Sequence, residues 1–468
     1  MRPSRTMWHG ALLILLSASL LAPFVCAATV AGTRTILSQI SLKDAAAFKR
    51  EVQSMIDNVS SVSNYSFSVG FYDGTNQIGW GSGSCGEKRT CTDKDRMLLG
   101  SGTKPYTAAA IMRLVESGVL GLDDLAHVHI DSVLKRLSGK TMEQLLGPDA
   151  NLVTVGQLIK MQSGINDFDI PDYDHALLET ANKVHPPSES VAVVANFSET
   201  FLCKPGNCTS YSSTNFILAG FVLLQHAPPG QTTWETYDQA AGLGLPKIGG
   251  YTNTFFPRTG PLNRGGLTCP GISIDYGPTT LFTQDSSILG WTCGNVAASA
   301  DEVAKFYYDL LGPEPKIVSK ESLAYMETWS ALNKGWASGY IDYGAGLMIQ
   351  NVSPKVGKLP PLDHIASYAG HGGDTYAFMS DNGYFPQLNV SISVIVNQDH
   401  DFMYPSYITT CKVVEIAAKY LGHGDLDLGC ADANPNPKYV CQNLYGQETC
   451  VQSDYRGQDK ASCEASCH

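Results

Sequence analysis

The strand-like stretches of this chain stand near its two ends with helical sequence between them, and that separation constrains the fold more than any single motif. From Tyr65 to Ile78, Phe67, Val69 and Phe71 alternate with small or polar residues, and Asp73-Gly74 supplies a hairpin turn. Strand character then returns only at Tyr343–Gln350, Tyr376–Ser380 and Val390–Val396. Between Gly121 and about Gly312 the pattern is helical or irregular, broken by many Gly and Pro residues, with amphipathic helices at Thr154–Met161 and Ala300–Leu311. Helical spacing also marks Ser41–Val62 (Ala45, Phe48, Val52, Met55, Ile56) and Tyr407–Leu421, which Gly422 closes. A lone hairpin is marginal in water, so the early strands need the late ones and one sheet must be assembled from distant halves. The expectation is an α+β layer with a helical insertion beside it.

Arg2 and Arg5 precede an apolar run, Ala11–Leu21, and Val25-Cys26-Ala27 offers a cleavage site, so residues 1–27 read as a secretory signal. The run is shorter than the ~20 residues a bilayer span needs. Without Cys26, twelve of the thirteen cysteines remain, an even number suited to six disulfides in an oxidising compartment. Close spacing suggests Cys85 with Cys91 and Cys203 with Cys208; Cys269 with Cys293 and Cys411 with Cys430 are also expected. No C-x-x-C pair occurs, and no metal site is expected. Sequons at Asn58, Asn64, Asn196, Asn207 and Asn389 add the mark of a secreted glycoprotein, while Pro354 disfavours a sixth at Asn351. A net charge of −12 excludes a basic face for nucleic acid.

A main domain is expected over 38–425 and a linker over 426–438, containing Asp432-Ala433-Asn434-Pro435-Asn436-Pro437. The tail, 439–468, carries Cys441, Cys450, Cys463 and Cys467 with almost no apolar core, so two disulfides must hold it together. It either binds a polysaccharide or protein surface or is only a stable end.

In Leu99-Gly100-Ser101-Gly102-Thr103-Lys104-Pro105-Tyr106 a hydroxyl and an amine stand three residues apart where a helix begins. Ala108, Ile111, Leu114 and Val115 continue that helix, Gly118 ends it, and Pro105 fits only a first turn. Positions i and i+3 share a face, so the amine can reach the hydroxyl. A lysine whose pKa is depressed by burial can serve as the base a serine nucleophile needs, and the helix dipole favours a developing alkoxide. A surface helix with an ordinary N-cap serine fits the same residues. His127 and His129 alternate after Asp124, which suits a metal or merely a helical connection, and Asp399-His400-Asp401 reads as a polar loop. Neither H-E-x-x-H nor G-x-S-x-G is present, so zinc-protease and α/β-hydrolase signatures are missing.

Two further segments are Tyr211-Ser212-Ser213-Thr214-Asn215-Phe216-Ile217-Leu218-Ala219-Gly220 and Tyr368-Ala369-Gly370-His371-Gly372-Gly373-Asp374. With the S-x-x-K of Ser101 and Lys104, they resemble the class C β-lactamase and D-stereospecific peptidase/esterase family of serine hydrolases in order and spacing. Lys104–Asp124 and Val153–Asp167 are similar to that family too, and the resemblance spans about Ser41 to Gly422. It implies an antiparallel sheet flanked by helices with a helical insertion subdomain, as in serine β-lactamases and penicillin-binding transpeptidases. The α/β part would take about 38–120 and 335–425, and the helical part about 121–334.

The resemblance also implies roles. Ser101 would be acylated, Lys104 would keep its hydroxyl poised, and Tyr211 would take and return protons, its phenolate stabilised by the lysine ammonium. Backbone N–H groups of Ser101 and Asp374 would hold the oxyanion, with Gly372 and Gly373 allowing close approach. No cofactor is implied. Where the family has Y-x-N this chain has Tyr211-Ser212-Ser213, so Ser213 replaces an amide that contacts substrate. Where true β-lactamases have K-T-G it has His371-Gly372-Gly373, which resembles the esterase and peptidase branches because histidine is mostly neutral at pH 7. The implied function is a secreted serine hydrolase forming an acyl-enzyme on Ser101 with a small ester, amide or D-amino-acid peptide. A catalytically silent binding protein and a true β-lactamase are the alternatives.

Overall fold

The computed structural model describes residues 42–86, 89–273, 279–356, 362–399, 404–431, 438–444, 447–453 and Cys463. The expected signal, the linker run from Ala433 to Pro437, Cys467 and the side chains of Cys441 and Cys450 lie outside the described residues. Asp44 caps the first helix, α1 (Ala45–Ser63), by accepting the Ala47 N–H at 2.9 Å, and Asn64 ends it in a left-handed conformation. Its buried face is Phe48, Val52, Ile56 and Val59, the spacing read from the sequence. The hairpin of β1 (Phe67–Tyr72) and β2 (Gln77–Ser82) turns on Asp73, whose Oδ1 accepts the N–H groups of Thr75 and Asn76.

Three helices position the site: α2 (Lys104–Glu116), α3 (Ala126–Ser138) and α4 (Thr214–Gln225). After them come α5 (Ala300–Leu311), β3 (Ser330–Ala331), β4 (Asp342–Tyr343), β5 (Met348–Asn351), β6 (Ser367–Gly370), β7 (Gly373–Thr375), β8 (Phe378–Phe385), β9 (Val390–Val396) and α6 (Tyr404–Tyr420). These strands and the first hairpin make one nine-stranded antiparallel sheet, ordered β2-β1-β9-β8-β6-β5-β4-β3, with β7 also paired to β8. Phe67 stands opposite Val396, so the two ends of the chain do meet in one sheet.

Alternation divides the sheet between two cores. Phe67, Val69 and Phe71, with Val390, Ile392, Val394 and Val396, pack under α1 and α6, while Ile395 joins the core on the opposite face. On that face α5 lies directly on the strands: a Cβ on Gly70 would stand 2.0 Å from the Ala300 carbonyl oxygen.

Two strand expectations are redrawn. Tyr343–Gln350 is split into β4 and β5, because Gly344 to Leu347 form a turn in which Gly346 takes φ +70°. The strand expected at Tyr376–Ser380 begins at Phe378 and continues to Phe385. Its polar continuation is buried rather than exposed: Asn382 accepts from Ser393 Oγ at 2.6 Å, and Asp381 accepts from Tyr368.

Cys203–Cys208 and Cys411–Cys430 are bonded as expected. Cys269 with Cys293 is corrected: Cys269 stands at bonding distance from Cys85, as the expected partner Cys91 also does, and Cys293 is a buried free thiol. Hydrogen bonding of the Thr268 and Cys269 N–H groups to Arg96 O carries Cys269 to the mouth of the 83–91 loop, away from Cys293. Cys85 is placed in reach of both Cys91 and Cys269, and since one sulfur forms one disulfide the two pairings exclude each other. Cys463 is disulfide-bonded, and the tail forms a hairpin of β10 (Lys438–Leu444) and β11 (Gln447–Ser453) with Cys441 opposite Cys450 in register. Asn58, Asn64, Asn196 and Asn207 are exposed, and Asn389 is partly so.

Gly70→Ala is expected to cost about 1–3 kcal/mol by forcing α5 off the sheet. A lower urea midpoint at unchanged slope would register this, and an unchanged midpoint would contradict it.

Candidate active site

Ser101 lies on a 3₁₀ turn, Gly100–Thr103, that runs straight into α2. The turn is held from three directions. Leu99 N–H donates to Val296 O, Ser380 Oγ donates to Leu99 O at 2.9 Å, and Val296 N–H donates to Thr103 Oγ1 at 3.0 Å. Gly100 takes φ +52°, and a Cβ there would stand 2.3 Å from Asp374 O; one on Gly373 would stand 1.8 Å from Leu99 O. Both positions demand glycine because β7 runs backbone to backbone against the turn. The peptide after Gly373 is thereby brought beside Ser101.

Lys104 Nζ stands 2.7 Å from Ser101 Oγ and 3.4 Å from Cys293 O. It also sits 4.9 Å above the Tyr211 ring and 5.9 Å from the Phe216 ring. The side chain is completely buried, and desolvation pushes its pKa down against the opposing pull of Cys293, Asp167 and Asp169. A hydrogen bond joins the hydroxyls of Tyr211 and Ser101. Burial drives the Tyr211 phenol well above its ordinary value, and Asp167 and Asp169 add to that. This is the opposite direction from the lysine-stabilised phenolate expected from the sequence, because desolvation outweighs the lowering effect of the Ser101 hydrogen bond.

Tyr211 is carried to Ser101 by a loop zipped against residues 161–168. Ser210 N–H donates to Met161 O, Ser212 Oγ to Asn166 O at 3.1 Å, and Ser213 N–H to Asp167 Oδ1 at 2.8 Å. Ser213 is itself buried, its hydroxyl 3.3 Å from Asp169 Oδ2. The polar group presented at the place of the expected serine contact is therefore the exposed Asp169 carboxylate.

Asp167 and Asp169 were not among the residues given a role from the sequence, although Asp167 closes one of the segments that carry the resemblance. Burial, then the charge of Asp169, raises Asp167 to about 7. The enclosing walls raise Asp169 as well, and it hydrogen-bonds Asp174, which also accepts from Tyr376 at 3.0 Å. Two carboxylates can share such a bond only if one is protonated.

His371 is fully buried and sits behind Tyr211. Its Nδ1 is 2.5 Å from Gly372 O, which can only accept, so Nδ1 carries the proton; Nε2 then accepts from Tyr343 OH at 3.2 Å. Burial and the Lys104 charge lower its pKa to about 3. His371 is thus a neutral brace for the Gly372-Gly373-Asp374 strand, with no surface to offer substrate. Tyr343 and Trp336, whose rings pack 6.0 and 5.0 Å from that of Tyr211, were not identified from the sequence, where nothing distinguishes them from core aromatics.

With this geometry in place, the Beta-lactamase family profile matches residues 66–408. Among solved structures, a D-stereospecific amidohydrolase from Streptomyces sp. superposes with TM-score 0.57 at 24% identity, over 76% of this chain and 95% of that one. D-amino acid amidase from Ochrobactrum anthropi SV3, complexed with L-phenylalanine, gives 0.60 at 17% identity over 81% and 99%. A penicillin-binding protein homologue from Pyrococcus abyssi gives 0.58 at 22% over 78% and 77%. "Protein flp" of Staphylococcus aureus (strain N315) is 19% identical over 325 residues, 69% of this chain, and the chain spans 57% of that relative's length.

Asp167 has a direct consequence for stability. Its pKa rises from an ordinary 3.8 to about 7 on folding, so the native state holds this proton more tightly than the unfolded chain. Stability is therefore lost as pH rises from about 4 to about 7. Asp167→Asn should lose less stability than the wild type between pH 5 and pH 8 in urea titrations; equal losses would show that Asp167 does not carry the proton.

Proposed function

The chain belongs to the β-lactamase family of serine hydrolases, and from that premise we propose that it is a secreted acyl-transferring hydrolase that uses Ser101 as nucleophile on a small ester, amide or D-amino-acid peptide. The observation that carries this reading is the convergence of the Lys104 amine at 2.7 Å and the Tyr211 hydroxyl on one oxygen, Ser101 Oγ. Burial favours the uncharged amine, whose lone pair can take the Ser101 proton as Oγ bonds to the substrate carbonyl carbon. The displaced carbonyl electrons collect on an oxygen that the N–H groups of Ser101 and Asp374 would hold. Collapse of this intermediate breaks the bond to the leaving alcohol or amine, which takes the proton back through Lys104 and Tyr211. Water then attacks the Ser101 ester and gives its proton to the same pair, releasing the acid and restoring the serine.

Charge around the cleft supports the branch. A neutral His371 provides no cation for the carboxylate of a β-lactam. Uncharged substrates, or those bearing an ammonium, suit the site better. The bonds Cys203–Cys208 and Cys411–Cys430 support an oxidising compartment, and the sequons and the leading apolar run support export. The tail, with its own hairpin, is a separate module in this reading.

A fluorophosphonate probe is expected to label the wild type and not Ser101→Ala, while Lys104→Ala lowers kcat/KM on p-nitrophenyl esters by about 10²–10⁴-fold. Equal labelling of wild type and Ser101→Ala would remove Ser101 from the mechanism. Absence of turnover in the wild type across esters, D-amino-acid amides and a chromogenic cephalosporin would favour the binding-protein alternative.

A further inference from the structure

We propose that His129 and His226 form a binding site for a late first-row divalent cation such as Zn²⁺, Ni²⁺ or Cu²⁺. The site is independent of the chemistry at Ser101. His226 caps the C-terminal end of α4, about 18 Å along that helix from Thr214 at a rise of 1.5 Å per residue. Helix α3 packs beside α4 and brings His129 to it, with His129 Nδ1 2.9 Å from His226 Nε2.

The second nitrogen of His129 decides what the first can do. Its Nε2 lies 3.3 Å from Asp124 Oδ2. A carboxylate only accepts, so Nε2 carries the proton and Nδ1 presents a lone pair to His226. Without a cation, His226 Nε2–H donates to that lone pair. When the His226 proton shifts to its own Nδ1, through solvent, both facing nitrogens become lone-pair donors. A tetrahedral zinc at 2.0–2.1 Å from each nitrogen spans roughly 3.3–3.4 Å between them, so the rings need to part by only a few tenths of an ångström. Both histidines are partly exposed and have room to do so.

Asp124 then orients His129 in the manner of a carboxylate–histidine–metal triad. Ser132, one turn beyond His129, donates to Gln225, next to His226. His127 does not take part: its Nδ1 lies 3.8 Å from Asp131 Oδ2 on the same helix.

The test uses the untagged, EDTA-treated full chain. Zn²⁺ or Ni²⁺ should raise Tm saturably by about 2–4 °C, and Cu²⁺ should give a nitrogen-coupled EPR signal. Both signatures are expected to vanish in His129→Gln and in His226→Gln. Asp124→Asn should weaken affinity by about 10–100-fold. None of these variants touches the cleft, so retained esterase activity reports that each has folded. No shift and no signal in the wild type would overturn the proposal. So would a shift and signal in both histidine variants equal to those of the wild type, which would assign binding elsewhere, for instance to the sulfurs of Cys85, Cys91 and Cys269.

Discussion

Everything in the cleft follows from burying one amine. Lys104 is enclosed by Ser101 Oγ, the Cys293 carbonyl and the rings of Tyr211 and Phe216, so water cannot solvate a charge there. In such surroundings an ammonium is costly and the free amine is favoured. The same enclosure disfavours a phenolate on Tyr211. Burial thus disfavours the charged form of both the amine and the phenol that face this serine oxygen. A proton can pass between them without the site ever holding a net charge for long, which is what a low-dielectric cleft permits.

Carboxylates on the opposite wall restrain that tendency. Asp167 and Asp169 pull Lys104 towards the charged form while desolvation pushes it away. The two acids cannot both ionise cheaply: their pKa values are raised, and Asp169 is bonded to Asp174. The charge of Lys104 in turn favours ionisation of both acids, and Ser213 donates to Asp169 on the same wall. His371 contributes by lacking charge altogether, bracing the β7 strand through Gly372 and Tyr343.

The skeleton of this arrangement was legible in the sequence because it is written in periodicity and local spacing. Val390–Val396 is a strand with the bounds its alternation predicts, and Ala300–Leu311 is the helix its amphipathic pattern predicts. The serine and lysine are near neighbours in the chain, and the tyrosine and glycine segments are recognisable by motif. What stayed hidden depends on the third dimension. Burial of Asp381 and Asn382 masks the end of β8, since polar residues interrupt the apolar alternation that defines a strand. Cysteine spacing reports loop length and not direction, so Cys269 was matched with the nearer Cys293 instead of Cys85, 184 residues away. The histidine and serine side chains expected to contact substrate are instead bonded within the protein, His371 to Gly372 and Tyr343, and Ser213 to Asp169.

The split sheet and the chemistry are one constraint seen twice. Ser101 and Lys104 belong to the early half of the chain, Tyr211 to the helical insertion, and the Gly373-Asp374 peptide to the late half. Gly100 and Gly373 let the early and late halves touch through bare backbone, at separations where any Cβ would collide. That contact closes only when β1 has paired with β9 and β9 with β8, because β7 hangs on β8 alone. A strand register slipped by one residue would reverse the faces of β8 and withdraw Ser380 from Leu99 O. The position of the Gly373-Asp374 peptide is therefore fixed by the register of the whole sheet, and the two glycines transmit that register to Ser101.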